Sequence, residues 1–315
     1  FSNSNIFFRD KKNEIISISK IKKFEYFFNL KSKEKKINII GNLFGSRFNF
    51  KWKKNYSNPY LSISNIQFKS PKINISNKFD SNDEKFINAL TNIKFLKNSF
   101  NLNYKFNQSN IEFIDDKSKL INTSKLVGNI DLNPFFFNLN LILSGIDLET
   151  ILSNIFLNLN KINQSSHINF NGTLKIKLDE IDSRLFEKLI VNINFLEEKI
   201  TFNELSLYLT KIGKINFSNP IIYEKNQKIF VKSKIKFDVD DQQELFRKFL
   251  IPRQNRVDLN KVYFTVEYDI DEKVYFLSNI TFDKIKDTKI IFHEIKNIQQ
   301  LNNLITNEFK KVSLD

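Results

Sequence analysis

The chain has 315 residues, with 49 Lys and Arg against 35 Asp and Glu, a formal net charge of +14, and neither Cys nor Met. The absence of cysteine rules out a disulfide framework, a thiolate metal site and a cysteine nucleophile. The two histidines, His167 and His293, cannot build a three-histidine metal site.

Hydrophobic residues at 41% beside 27% charged residues exclude a disordered chain. The length suits one long β domain or two domains. There are 34 Phe but only six Gly and five Pro. Heavy use of Phe, Ile, Asn and Lys is what an AT-rich coding sequence produces, so the positive charge is discounted as a sign of nucleic acid. The sequence starts at Phe1 inside a strand-like pattern, without an initiator. It reads as a fragment or processed chain whose targeting or membrane segment lay upstream. The most apolar stretch, residues 131–143, is interrupted by Pro134 and falls short of the ~20 residues a membrane helix needs.

Period two dominates along the chain. Phe48, Phe50 and Trp52 alternate with Arg47, Asn49, Lys51 and Lys53. Short alternating runs follow at residues 61–68 and 72–76, and a short helix is predicted at 83–92. Phe100, Leu102, Tyr104 and Phe106 alternate with Asn101, Asn103 and Lys105. The polar segment 117–125 offers the best break, giving an N-terminal β region 1–125 and a C-terminal β region 126–315 with short helices. Residues 147–158 read as a helix with Asp147 as N-cap and Thr150 at its third position. Residues 167–178, 189–195 and 229–239 return to alternation. Residues 200–209 switch face near Asn203 and Glu204, the signature of a bulge. A helix is expected at 240–249. Two strands at 262–268 and 274–282 flank the turn residues Asp269 to Glu272, and a last helix is expected at 294–310.

One apolar and one wet face per strand is the pattern of antiparallel sheets. The chain is therefore read as all-β with a few short helices. The paired carboxylates Asp115/Asp116, Asp240/Asp241 and Asp269/Asp271 are adjacent or sit in turns, where they serve solvation and turn geometry rather than acid–base work. His167 begins a strand on its polar face and reads as a surface histidine. No phosphate loop, nucleophile elbow or zinc-helix motif is present. The sequence calls for no catalytic residue, metal or cofactor. At residues 47–54 the aromatics and the cations alternate, hence face opposite sides, which argues against a stacking platform for nucleic acid.

Two architectures fit such strands. One is a closed sandwich whose sheets bury each other's apolar face. The other is a long curved sheet with an apolar groove. The second is favoured by a resemblance. Residues 4–18 resemble the short strand–turn–strand unit of the AsmA-like family of Gram-negative envelope proteins, which includes the TamB-type bridge proteins. Gly41-Asn42-Leu43-Phe44-Gly45-Ser46-Arg47-Phe48 is similar to that family's glycine-flanked strand pair. Residues 126–138, with the Pro134-Phe135 step, resemble a later family strand, as do 167–178 and the hairpin 262–282.

The resemblance implies a long antiparallel, curved, taco-like sheet, apolar inside. It implies an inner-membrane anchor upstream, a periplasmic location, and phospholipid transport or support of outer-membrane assembly without an enzymatic step. The partners it implies are phospholipid acyl chains, the inner membrane and outer-membrane assembly proteins. On this reading the groove is lined by Ile168, Phe170, Leu174, Ile176, Val191, Ile193, Phe195, Ile235, Phe237, Phe264, Val266, Phe276 and Ile280. The alternative is a structural or adhesive envelope β protein with a closed core and no lipid cargo. A further possibility is an assembly factor that receives strands at its exposed edges.

Overall fold

The computed structural model describes residues 3–10, 13–70, 72–83, 85–95, 98–114, 124–164, 171–179, 181, 185–196, 199–256, 258–282 and 293–295. Among the described residues the protein is all-β with two α-helices, and nineteen strands belong to one long antiparallel sheet. The strands are β1 (Ser4–Arg9), β2 (Ile15–Asn29), β3 (Glu34–Leu43), β4 (Ser46–Asn55), β5 (Leu61–Phe68), β6 (Ile73–Asp80), β7 (Ile87–Phe95), β8 (Asn98–Phe106), β9 (Asn110–Ile114), β10 (Lys125–Leu132) and β11 (Phe135–Ser144). Helix α1 (Leu148–Gln164) follows, then β12 (Gly172–Asp179), β13 (Phe186–Leu196), β14 (Lys199–Leu209), β15 (Gly213–Lys225) and β16 (Lys228–Val239). After helix α2 (Gln242–Lys248) come β17 (Lys261–Asp269), β18 (Val274–Phe282) and the short β19 (His293–Ile295).

The chain divides into two compact units. The first is Phe1–Ser144, Lys161–Ile176 and Ile193–Ile200; the second is Gly145–Asn160, Lys177–Asn192 and Thr201–Asp315. In the first, β1 through β11 pair successively and antiparallel. The break expected near residue 125 falls inside this run. Residues 115–123 lie outside the described residues, and β9 and β10 on either side pair directly, Ile111 opposite Ile130. Of the helix expected at 83–92, residues 87–92 belong instead to strand β7. Ala89 and Thr91 are buried while Asn88 and Leu90 are exposed, a period of two that pairing with β6 and β8 enforces.

In the second unit β14 through β19 pair successively. The face switch in β14 is present. Ile200 and Phe202 are half-buried beside exposed Thr201 and Asn203, but from Leu205 onward Leu205, Leu207 and Leu209 are buried, with Ser206 buried between them. Asp147 caps α1 as its sequence predicts, its Oδ2 accepting from the Thr150 amide at 2.8 Å. Replacing Asp147 with Ala should cost about 1 kcal/mol, read as faster hydrogen exchange at the first turn of α1 and unchanged exchange in α2. The helix runs past residue 158 because Ile151, Ile155, Phe156 and Leu159 continue one buried stripe. Phe156 meets Phe202, ring centroids 6.0 Å apart, and Ser153 Oγ lies 3.0 Å from Tyr268 Oη.

Helix α2 closes an apolar cluster. Leu245, Phe246 and Phe249 pack with Leu209, Ile212, Phe237, Ile251 and Leu259, all buried. Its entry explains the Asp240/Asp241 pair. Both backbone amides donate to the Ile212 carbonyl, and Asp241 Oδ1 accepts from the Glu244 amide at 2.9 Å. Likewise Asp269 Oδ1 accepts from the Asp271 and Glu272 amides, both at 3.0 Å, and so shapes the β17–β18 turn. Of the helix expected at 294–310, only Glu294 and Ile295 are described, and they belong to β19. Residues 296–315 lie outside the described residues.

Candidate functional site

The register of the first unit lines up an apolar face. Cross-strand partners share a face, so Ile39, Phe50, Ile66, Ile75 and Ile93 form one row across β3 to β7. A second row, Gly41, Phe48, Phe68, Ile73 and Phe95, lies beside it. The large side chains of both rows are half-buried, none of them closed off. A third row reads Ile37, Trp52, Ser64, Asn77 and Thr91. Its polar members satisfy one another. Asn77 Nδ2 donates to Ser64 Oγ at 2.9 Å, and Thr91 Oγ1 donates to Asn77 Oδ1 at 2.5 Å. Tyr104 Oη reaches the same Asn77 oxygen at 3.4 Å, and burial pushes its phenol pKa up, so it stays a neutral donor. This row is internally paired, whereas the Phe and Ile rows offer contact area.

The predicted lining lies elsewhere, and six of its thirteen residues are closed. Ile176, Val191, Ile193, Phe195, Ile235 and Phe237 are buried, and Phe237 belongs to the cluster under α2. Leu174, Phe264, Val266 and Ile280 are half-buried; Phe264 and Ile280 also pack against that cluster. Phe276 faces the other way. It pairs with Glu267, while Leu277 pairs with Val266, because the β17–β18 register slips between Tyr263 and Thr265. Counting by twos through that slip places Phe276 on the wrong face. Ile168, Phe170 and His167 lie outside the described residues, as do Asp115 and Asp116. The open rows on β3 to β7 are what residue reasoning left out. Their signal is the alternation of Phe48, Phe50 and Trp52 itself.

The same unit carries a cavity of about 600 Å³ beside the second row, whose Phe48, Phe68 and Ile73 line it together with Ile40. Its wall includes Arg47, Lys69, Lys72 and Lys94, with Asn49, Gln67 and Asn74 between them and no carboxylate among the described residues. Asn65 Nδ2 donates to Asn74 Oδ1 at 2.8 Å. Four cations and three amides suit an oxyanion. Ser46 Oγ, donating to the Ser70 carbonyl, ties the start of β4 to the β5–β6 turn at this cavity.

No protein-family model, curated protein or solved structure matches this chain.

Proposed function

We propose that the protein is a non-enzymatic lipid-binding protein of AsmA-like type, which holds phospholipid acyl chains against the apolar face of its first unit. The observation that carries this reading is the pair of half-open Phe and Ile rows on β3 to β7. Five strands at ~4.8 Å spacing make each row about 19 Å long. That exceeds the ~15 Å depth of one leaflet's hydrocarbon, so a row can accompany a whole acyl chain. Each CH₂ removed from water contributes about 0.8 kcal/mol. The sum holds a chain, while near-equivalent contacts along the row let it slide. The sequence resemblance adds the setting: a periplasmic protein, anchored in the inner membrane upstream, serving phospholipid transport or outer-membrane assembly.

The closed cluster under α2 favours a second reading for the second unit. That unit is a dry structural body, as in an envelope β protein without cargo.

The test is detergent-free purification, native mass spectrometry and lipid extraction. Bound phospholipid is expected in the wild type. In the Phe50→Asp/Ile66→Asp double variant it should be lost while strand content by circular dichroism is unchanged. A wild-type protein that is folded, lipid-free and indifferent to added phospholipid would refute lipid carriage.

A further inference from the structure

One end of the first unit breaks the rule that keeps aromatics on a single face. Tyr26, Phe27 and Phe28 are 51%, 49% and 46% exposed, and Leu30, at the apex of the β2–β3 turn, is 79% exposed. Phe28 pairs with Lys35, on the face of the Phe and Ile rows; Phe27 pairs with Lys36, on the opposite one. The neighbouring β4–β5 turn adds exposed Tyr56 and Tyr60. The two turns are joined. The Tyr56 amide donates to the Lys33 carbonyl at 2.9 Å, and the Phe28 and Tyr56 rings meet edge-on with centroids 6.4 Å apart.

Lysines ring this apolar end. Glu34 engages Lys36 at 2.7 Å and Lys53 at 2.5 Å. Lys35 Nζ sits 4.8 Å from the centre of the Tyr56 ring. Lys31, Lys33 and Lys54 have no acidic partner among the described residues. A protein partner would cover one face of a sheet end and leave the other wet. A fluid apolar medium accepts side chains on both faces at once. Aromatics at the apex with lysines just behind match the order of a bilayer surface, where rings lie at headgroup depth and lysine stems reach back to anionic groups.

We propose that this end, formed by the β2–β3 and β4–β5 turns, inserts into the surface of an anionic lipid bilayer. The inference does not require acyl chains on the strand rows. The protein would dock through Leu30, Phe27 and Phe28, with Tyr56 and Tyr60 at the headgroup level and Lys31 and Lys33 on lipid phosphates.

The chain has no cysteine, so a Leu30→Cys variant takes a single environment-sensitive dye. With vesicles of mixed phosphatidylcholine and phosphatidylglycerol, the dye emission should shift to the blue and the protein should co-sediment. With phosphatidylcholine alone, binding should be weaker. Replacing Lys31 and Lys33 with Gln should weaken binding to the anionic vesicles by about fivefold per charge. The Phe27→Ser/Phe28→Ser pair should abolish co-sedimentation while leaving circular dichroism and any co-purified lipid unchanged. A dye that stays in water while the protein sediments would overturn the proposal. So would absence of binding, or binding indifferent to phosphatidylglycerol. Loss of co-purified lipid in the strand variants with vesicle docking intact, or the reverse, tells this inference apart from lipid carriage.

Discussion

Replacing Gly213 with Ala should destabilise the second unit by about 3 kcal/mol. Gly213 opens β15 opposite Val239 with φ +154°, and a Cβ built there would lie 2.0 Å from the Asp238 carbonyl oxygen. That atom is backbone in a paired strand, so no side-chain rotation relieves the overlap. The adjoining Ile212 is fully buried and accepts both Asp240 and Asp241 amides through its carbonyl, so the displacement propagates to the entry of α2. Gly145 supplies the control. It has φ +66° but no atom within 4 Å of a would-be Cβ. Gly145→Ala should therefore cost only the left-handed backbone penalty of roughly 1–2 kcal/mol. Hydrogen exchange at β15 and β16 amides in urea reads both. Equal losses at the two sites would show that close approach plays no part at Gly213.

A comparably large effect is expected at Leu259, which is 1% exposed and packs with Ile212, Leu245 and Phe249. Leu259→Ala should lose about 2–5 kcal/mol, transfer and cavity together. Phe50→Ala, on the half-open row of β4, should lose only about 1 kcal/mol, because the larger side chain gives up only part of its burial. The comparison measures whether the two apolar surfaces differ as the structure has them. A Phe50→Ala loss of about 3 kcal/mol or more would mean a closed core on both. In that case acyl chains would have no face to lie on.

Strands were legible because alternation is local. Phe48-Asn49-Phe50-Lys51-Trp52 states its two faces in five residues, and β4 obeys it. Capping was equally local: Asp147 and Asp241 each reach an amide three residues on. What alternation does not encode is cover. Ile235 and Phe50 sit in identical patterns. Ile235 is buried and Phe50 is not, because what packs over a strand comes from elsewhere in the chain. Register slips are a second blind spot. Asn279 adopts φ +55° in β18 at the slip that separates the face of Phe276 from that of Ile280. At β7, the neighbouring Ala89 and Leu90 read locally as helix; pairing on both sides decides for strand. The aromatic end of the first unit had an overt signal, Tyr26-Phe27-Phe28 in succession. Three consecutive aromatics cannot share one face of a strand.

The strand pairings also bear on how the protein forms and changes length. Each described pairing joins strands consecutive in the chain. Contact order within each run is therefore low for a β protein, and each loop to be closed costs little entropy. Hairpins close in about 1–10 μs, whereas a ribosome adds roughly 5–20 residues per second. Each strand can dock on its predecessor before the next one exists, and the growing edge never waits for a distant partner. The same arithmetic constrains insertions. Two strands added or removed together preserve direction and face for everything downstream. A single strand reverses both, putting every later row on the other face of the sheet. Length in such a chain changes in hairpin-sized steps.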